Sequence, residues 1–108
     1  MKWIRVTRIE NIPVRQGRVV SFGTLELAIF NLGGAFRAVE SRCPHKQGPL
    51  SEGIVHGASV TCPLHNWVFD LATGKALGAD EGQVRTYPID LVDGRIFMAL
   101  ESVLVAAE

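Results

Sequence analysis

Two short motifs constrain this chain more than anything else in it: Cys43-Pro44-His45 and Cys62-Pro63-Leu64-His65, with sixteen residues between His45 and Cys62. Each offers one thiol and one imidazole, and the chain has no other cysteine. Whatever the chain folds into must bring these two motifs together if they share a ligand. Each runs into a turn-prone segment, Lys46-Gln47-Gly48-Pro49 after the first and Asn66-Trp67 after the second. In both, a proline directly follows the cysteine; it fixes φ and removes a backbone donor, which stiffens the loop. The remaining loop N–H groups are then available to point at sulfur. Gly48, Gly53 and Gly57 allow sharp turns and close backbone approach around the motifs.

The flanks of this segment read as β structure. Ile4 and Val6 alternate with Arg5 and Thr7, the pattern of a half-buried strand. Arg18 to Phe22 and Leu25 to Asn31 are apolar or β-branched runs joined by Gly23-Thr24, which predicts a tight hairpin. Leu32-Gly33-Gly34 predicts a turn into a strand over Phe36 to Glu40. Tyr87 to Val92 and Arg95 to Leu100 flank Asp93-Gly94, a two-residue loop suited to the positive φ angles of a type I′ turn. From Ser41 to Gly82 the strands look shorter: Ile54 to His56, Ser59 to Thr61 and Trp67 to Leu71, with a turn at Thr73-Gly74. No long helical period appears; Glu10 to Pro13 and Glu101 to Ala107 could each hold one helical turn. The expected fold is all-β, with small antiparallel sheets forming an incomplete barrel or sandwich base. A ligand-binding subdomain of about residues 41–86 is inserted in it.

Length and charge limit the rest. A chain of 108 residues fits one domain, 1–108, and 47% hydrophobic residues suffice for a core. Eleven Lys plus Arg balance eleven Asp plus Glu, so the formal net charge is zero. That balance argues against nucleic acid or an anionic membrane as the partner, since both need a basic footprint. Met1-Lys2-Trp3-Ile4-Arg5-Val6 starts no apolar run, and no stretch is long enough to span a bilayer, so a cytoplasmic protein is expected. A reducing compartment favours metal binding over a disulfide for the two cysteines.

Thiolates are soft donors suited to iron in a sulfide cluster, and two neutral imidazoles on one iron raise its reduction potential. A tetrahedral zinc site, structural or redox-sensing, also accepts two Cys and two His, although one of each per loop with Cys-x-His first is uncommon for zinc. The other notable residues have plain readings. His56 stands at no ligand spacing and reads as a surface histidine. Phe69 reads as core, Trp3 as packing for the first strand, and Trp67 as one wall of the ligand loops or a step on an electron path. Arg42 and Lys46 read as a charged loop or a docking patch, and Asp80-Glu81 with Arg85 as a possible subunit contact. No nucleophile–base pair or dinucleotide fingerprint is present, so the chain alone is expected to catalyse nothing.

Cys-x-His, sixteen residues, then Cys-x-x-His resembles the Rieske [2Fe–2S] family. Gly53, Phe69-Asp70 and Thr73-Gly74 fit that family's further signature. The resemblance implies one [2Fe–2S] cluster held by Cys43, His45, Cys62 and His65. It puts the two cysteines on a buried iron and the two histidines on an outer iron where electrons enter or leave.

Three stretches resemble more narrowly the small subunit of assimilatory NADH-dependent nitrite reductase: Cys43 to Gly53, Cys62 to Trp67, and Gly78-Ala79-Asp80-Glu81-Gly82 running on to Pro88. That resemblance implies a large catalytic partner subunit with FAD, a [4Fe–4S] cluster and sirohaem, reducing nitrite to ammonium. The alternative is a Rieske ferredoxin serving an oxygenase and reductase pair of an aromatic-ring-hydroxylating dioxygenase system; those ferredoxins often carry Pro-Pro where Gly78-Ala79 stands. High-potential Rieske proteins place a Ser two residues, and a Tyr four residues, after the second His. Here these positions are Trp67 and Phe69, which cannot donate in that way. The expected potential therefore lies at the low end of the Rieske range, roughly −150 mV rather than +300 mV.

Overall fold

Alternation along the third predicted strand explains the architecture. The computed structural model describes residues 3–22, 25–41, 49–63, 67–77 and 82–99. Within it β3 (Leu25–Asn31) is one of the two inner strands of a four-stranded antiparallel sheet ordered β2-β3-β4-β8, with β2 Gly17–Phe22, β4 Phe36–Glu40 and β8 Thr86–Tyr87. Leu27, Ala28, Ile29 and Phe30 are all fully buried. A continuous apolar run of this length belongs to a strand covered on both faces. Leu27 and Ile29 join one core, with Ile12, Ala38, Tyr87, Ile96 and Met98. Ala28 and Phe30 join a second core, with Val39, Leu50, Val55, Val60, Cys62, Phe69, Leu71 and Val84. Each fully buried large side chain stabilises the fold by about 1.5–3 kcal/mol through area removed from water.

The first core is closed by a three-stranded antiparallel sheet ordered β1-β10-β9: β1 Trp3–Arg8, β10 Arg95–Ala99 and β9 Ile89–Val92. A register shift between Arg5 and Thr7 marks a bulge in β1. The second core is closed by another three-stranded sheet, β5 (Ile54–His56), β6 (Ser59–Thr61) and β7 (Val68–Asp70), which lies between the two ligand motifs and just beyond the second. The all-β expectation holds. Among the described residues the only helical pieces are two 3-10 turns, Ile9–Asn11 and Leu50–Glu52. No helix among them is long and apolar enough to cross a membrane.

Two expectations need correction. Tyr87 to Val92 is not one strand. Thr86–Tyr87 pairs with β4, Ile89–Val92 pairs with β10, and Pro88 stands where the chain changes sheets; proline has no N–H to give either ladder. Trp3 is 42% exposed at the end of β1, so it packs the first strand less than its size suggests. The Asp93-Gly94 turn has the expected geometry, with φ of 51° and 73°. Phe22 pairs with Leu25, as the first hairpin requires, while Gly23 and Thr24 lie outside the described residues, as do residues 101–107.

Candidate metal centre

The small sheet β5-β6-β7 is built by short-range pairing. Ile54 faces Thr61 and His56 faces Ser59; Ser59 faces Asp70 and Thr61 faces Val68. Val55, Val60 and Phe69 point into the core, while Ile54 and His56 face outward and are exposed. The chain leaves β6 directly into Cys62, which is completely buried among the apolar residues of the second core.

Backbone hydrogen bonds between described residues flank three segments of the chain. Residues 42–49 are closed at their base by Leu50 N–H donating to the Ser41 carbonyl, 2.8 Å. Residues 63–66 are closed by Cys62 N–H donating to the Trp67 carbonyl, 2.7 Å. Residues 78–81 are closed by Ala76 N–H donating to the Gly82 carbonyl, 3.0 Å, while Leu77 N–H bonds the Val68 carbonyl, 2.8 Å. Leu50 and Cys62 belong to the same buried core and Trp67 packs against it, so the bases of both motif-bearing segments are anchored in one core. Ser41 at the first base is itself buried.

Of the four expected ligands, Cys62 is in place as a buried sulfur. Cys43, His45 and His65 lie outside the described residues, as do Arg42, Lys46, Asp80 and Glu81. Among the described residues no three His, Cys, Asp or Glu side chains gather into a metal site. The donor set nevertheless fits the cluster: the Cys62 sulfur is held away from water among apolar side chains, which suits a soft iron–sulfide bond.

The Phe69-Asp70 and Thr73-Gly74 signature proves to be a turn that bonds to the chain at Val84. One Asp70 carboxylate oxygen accepts from Ala72 N–H at 2.8 Å and Thr73 N–H at 3.0 Å. The backbone donors at Thr73 and Ala72 hold the Asp70 carboxyl below its ordinary value of 3.8. Gly74 has φ of 79°, and a Cβ there would stand 2.0 Å from the Val84 carbonyl oxygen. Val84 N–H in turn donates to the Gly74 carbonyl, 2.8 Å. A carboxyl whose folded value is depressed stabilises the fold fully above 3.8, and that contribution disappears as pH falls through the lower folded value. Asp70→Ala is therefore expected to lower the melting temperature at pH 7 and to lower it by less at pH 3. Thermal denaturation at both pH values checks this, and a constant difference would sink it.

The remaining single residues are accounted for. His56 is exposed and bonded, its Nε2 2.7 Å from Thr61 Oγ1 and its Nδ1 3.2 Å from Ser59 Oγ, away from any ligand cluster of described residues. Trp67 is half-buried on the wall of the second core, its ring centroid 6.2 Å from that of Phe69, which is fully buried. Glu40 N–H donates to the Arg85 carbonyl at 2.9 Å, and Arg85 N–H donates back to the Glu40 carboxylate. Arg85 thus serves the sheet through its backbone. Burial, and then the Glu40 charge, push the Tyr87 phenol above its ordinary value. Sequence reasoning passes over Ser41 and Leu50, the base of the first loop. A backbone bond across that loop leaves no mark in residue type, although the apolar Leu50 just after the turn-prone segment is a usable signal.

Comparison with known proteins agrees with this layout. Residues 2–88 match the Rieske [2Fe-2S] domain. The chain is 37% identical over 102 residues, 93% of its length and 96% of the relative's, to the 3-phenylpropionate/cinnamic acid dioxygenase ferredoxin subunit of Photorhabdus laumondii. It is 33% identical over 100 residues, 92% and 96% of the two chains, to the ferredoxin component of the naphthalene 1,2-dioxygenase system of Pseudomonas aeruginosa. Its fold is similar, at TM-score 0.81, 26% identity and 90% and 92% coverage, to a chain in the complex of reduced oxygenase and oxidized ferredoxin in carbazole 1,9a-dioxygenase. A putative NADH-dependent nitrite reductase small subunit from Mycobacterium tuberculosis matches at TM-score 0.80 with 24% identity and 90% and 93% coverage, a likeness of fold.

The chain belongs to the Rieske [2Fe–2S] family. Its cofactor is a Rieske [2Fe–2S] cluster, in place of the zinc alternative, and it is an electron-transfer protein. The narrower resemblance to nitrite reductase small subunits gives way on the sequence side. Dioxygenase ferredoxins match it at 37% and 33% identity along nearly their whole length, whereas the nitrite reductase small subunit shares its fold at 24%.

Proposed function

We propose that this chain is the ferredoxin of an aromatic-ring-hydroxylating dioxygenase system, taking electrons singly from a reductase and passing them to an oxygenase. The observation that carries the reading is 37% identity to a dioxygenase ferredoxin subunit along 93% of the chain. Cys43 and Cys62 would hold the inner iron, and His45 and His65 the outer one. The cluster supplies a one-electron couple whose potential is set by ligand type, hydrogen bonds to sulfur and burial. The chain's own residues do the rest. Leu50 and Phe69 share the buried core of Cys62, Trp67 packs against that core, and Ser41 with Leu50 closes the base of the first loop. Trp67 and Phe69 offer no hydroxyl, which supports a low potential.

The test is reconstitution. The loaded protein should show a rhombic signal when reduced and a midpoint of roughly −150 mV. It should also couple NADH oxidation, through a dioxygenase reductase, to ring hydroxylation by the oxygenase. A midpoint well above zero, or no coupling, overturns the reading. A second reading, the small subunit of a nitrite reductase, is favoured by the Gly78-Ala79-Asp80-Glu81-Gly82 stretch. Stimulation of nitrite-dependent NADH oxidation by a sirohaem-bearing large subunit would select it.

A further inference from the structure

The geometry points to Gly53 as a positioning residue that sets the distance between the two motif-bearing loops, and so the strength with which they hold the cluster. Gly53 ends the return limb of the first loop, directly after the 3-10 turn Leu50–Glu52, and its N–H donates to the Leu50 carbonyl at 2.9 Å. Its backbone has φ of −73° and ψ of 168°, a conformation open to any residue. Conformational freedom is therefore not why a glycine stands there.

Space is the reason. A Cβ at position 53 would lie 2.4 Å from the Thr61 carbonyl oxygen, 2.8 Å from Val60 Cγ2 and 3.1 Å from the Leu50 carbonyl oxygen. Two of these three atoms are backbone and cannot rotate away. The Thr61 carbonyl is one peptide from Cys62, and Leu50 closes the base of the loop that carries Cys43 and His45. A side chain at 53 must therefore push the first loop's base away from the strand that delivers Cys62. Cluster ligation tolerates only tenths of an ångström at each bond, so a displacement of this kind falls on the ligands.

This inference rests on the ligand assignment above, and the experiment separates the two. Wild-type protein, Gly53→Ala and Ile96→Val are prepared loaded; Ile96 is buried in the other core and tests for loss of stability alone. Release of iron to a chelator, the g values of the reduced protein and the midpoint potential are measured for each. Gly53→Ala is expected to release iron about tenfold faster or more, the scale for disturbed outer-shell support. Its g values and midpoint should move as well. Ile96→Val should leave all three readouts at wild-type values. Wild-type release rate, g values and midpoint in Gly53→Ala, or equal changes in Ile96→Val, overturn the inference. If Gly53→Ala is recovered unfolded, Leu50→Val loosens the same seam from its other side. Faster release supports the inference there, and an unchanged rate refutes it. A wild-type protein without iron or a reduced signal would instead refute the ligand assignment.

Discussion

Cys62→Ala is expected to yield a colourless protein with iron near background and no reduced-state signal, yet with an intact β fold. Cys62 sits at 0% exposure at the exit of β6, inside the core that joins the four-stranded sheet to the small sheet. A cluster ligand in such a place cannot be replaced by water without opening the core, so loss of the thiolate costs the cluster outright rather than lowering its affinity by degrees. The fold bears the change more easily. Alanine removes one sulfur atom from a large packed group, a cavity costing about 1 kcal/mol for a methyl-sized void. The other core, formed by Ile12, Leu27, Ile29, Ala38, Tyr87, Ile96 and Met98, is untouched. Iron assay, the reduced-state spectrum and far-ultraviolet circular dichroism read the two effects separately. His56→Ala serves as the control, because His56 is exposed and its ring bonds the hydroxyls of Thr61 and Ser59. It should keep full iron. Retention of the cluster signal in Cys62→Ala, or its loss in His56→Ala, would reject the assignment.

Strand positions are legible wherever a local pattern decides them. The run from Leu25 to Asn31, the Asp93-Gly94 turn and the short strands at Ile54 and Ser59 each follow from residue type over a few positions. What stays hidden in the sequence is long-range. Nothing in the run Tyr87-Pro88-Ile89 says that its two sides belong to different sheets. That follows from pairing Tyr87 with Ala38 and Ile89 with Met98, partners in two different sheets. The candidate site divides in the same way. Donor identity and spacing single out the candidate ligands, because cluster chemistry needs those side chains. The closure of the first loop by Ser41 and Leu50, and the contact that demands glycine at 53, involve backbone atoms. Backbone is the same at every residue, so such constraints surface in sequence only as an unexplained glycine or a single buried serine.

Phe69→Ala is expected to cost about 3–5 kcal/mol of folding stability, the usual range for emptying a phenylalanine site. A domain of this size commonly has about 5–15 kcal/mol in all. Phe69 is fully buried, lies on the inward face of β7 opposite Val60, and packs beside Trp67. Phe69→Leu keeps most of the volume and should cost less than about 1.5 kcal/mol. The informative question is where the loss appears. The chain has two tryptophans: Trp67 packs against the second core, and the half-exposed Trp3 starts β1, the strand whose Ile4 and Val6 pack against the first, so each reports on one end of the fold. β3 sends Leu27 and Ile29 into one core and Ala28 and Phe30 into the other, and β4 likewise divides Ala38 from Val39. A strand shared in this way cannot leave one core without stripping the other. Urea titrations of the loaded protein in Trp3→Phe and Trp67→Phe backgrounds should therefore show one transition, moved to lower urea by Phe69→Ala for both reporters equally. If the Trp67 signal moves and the Trp3 signal stays, the small sheet unfolds as a separate unit. Cooperativity through β3 would then be wrong, and the cluster end could open while the base remains folded.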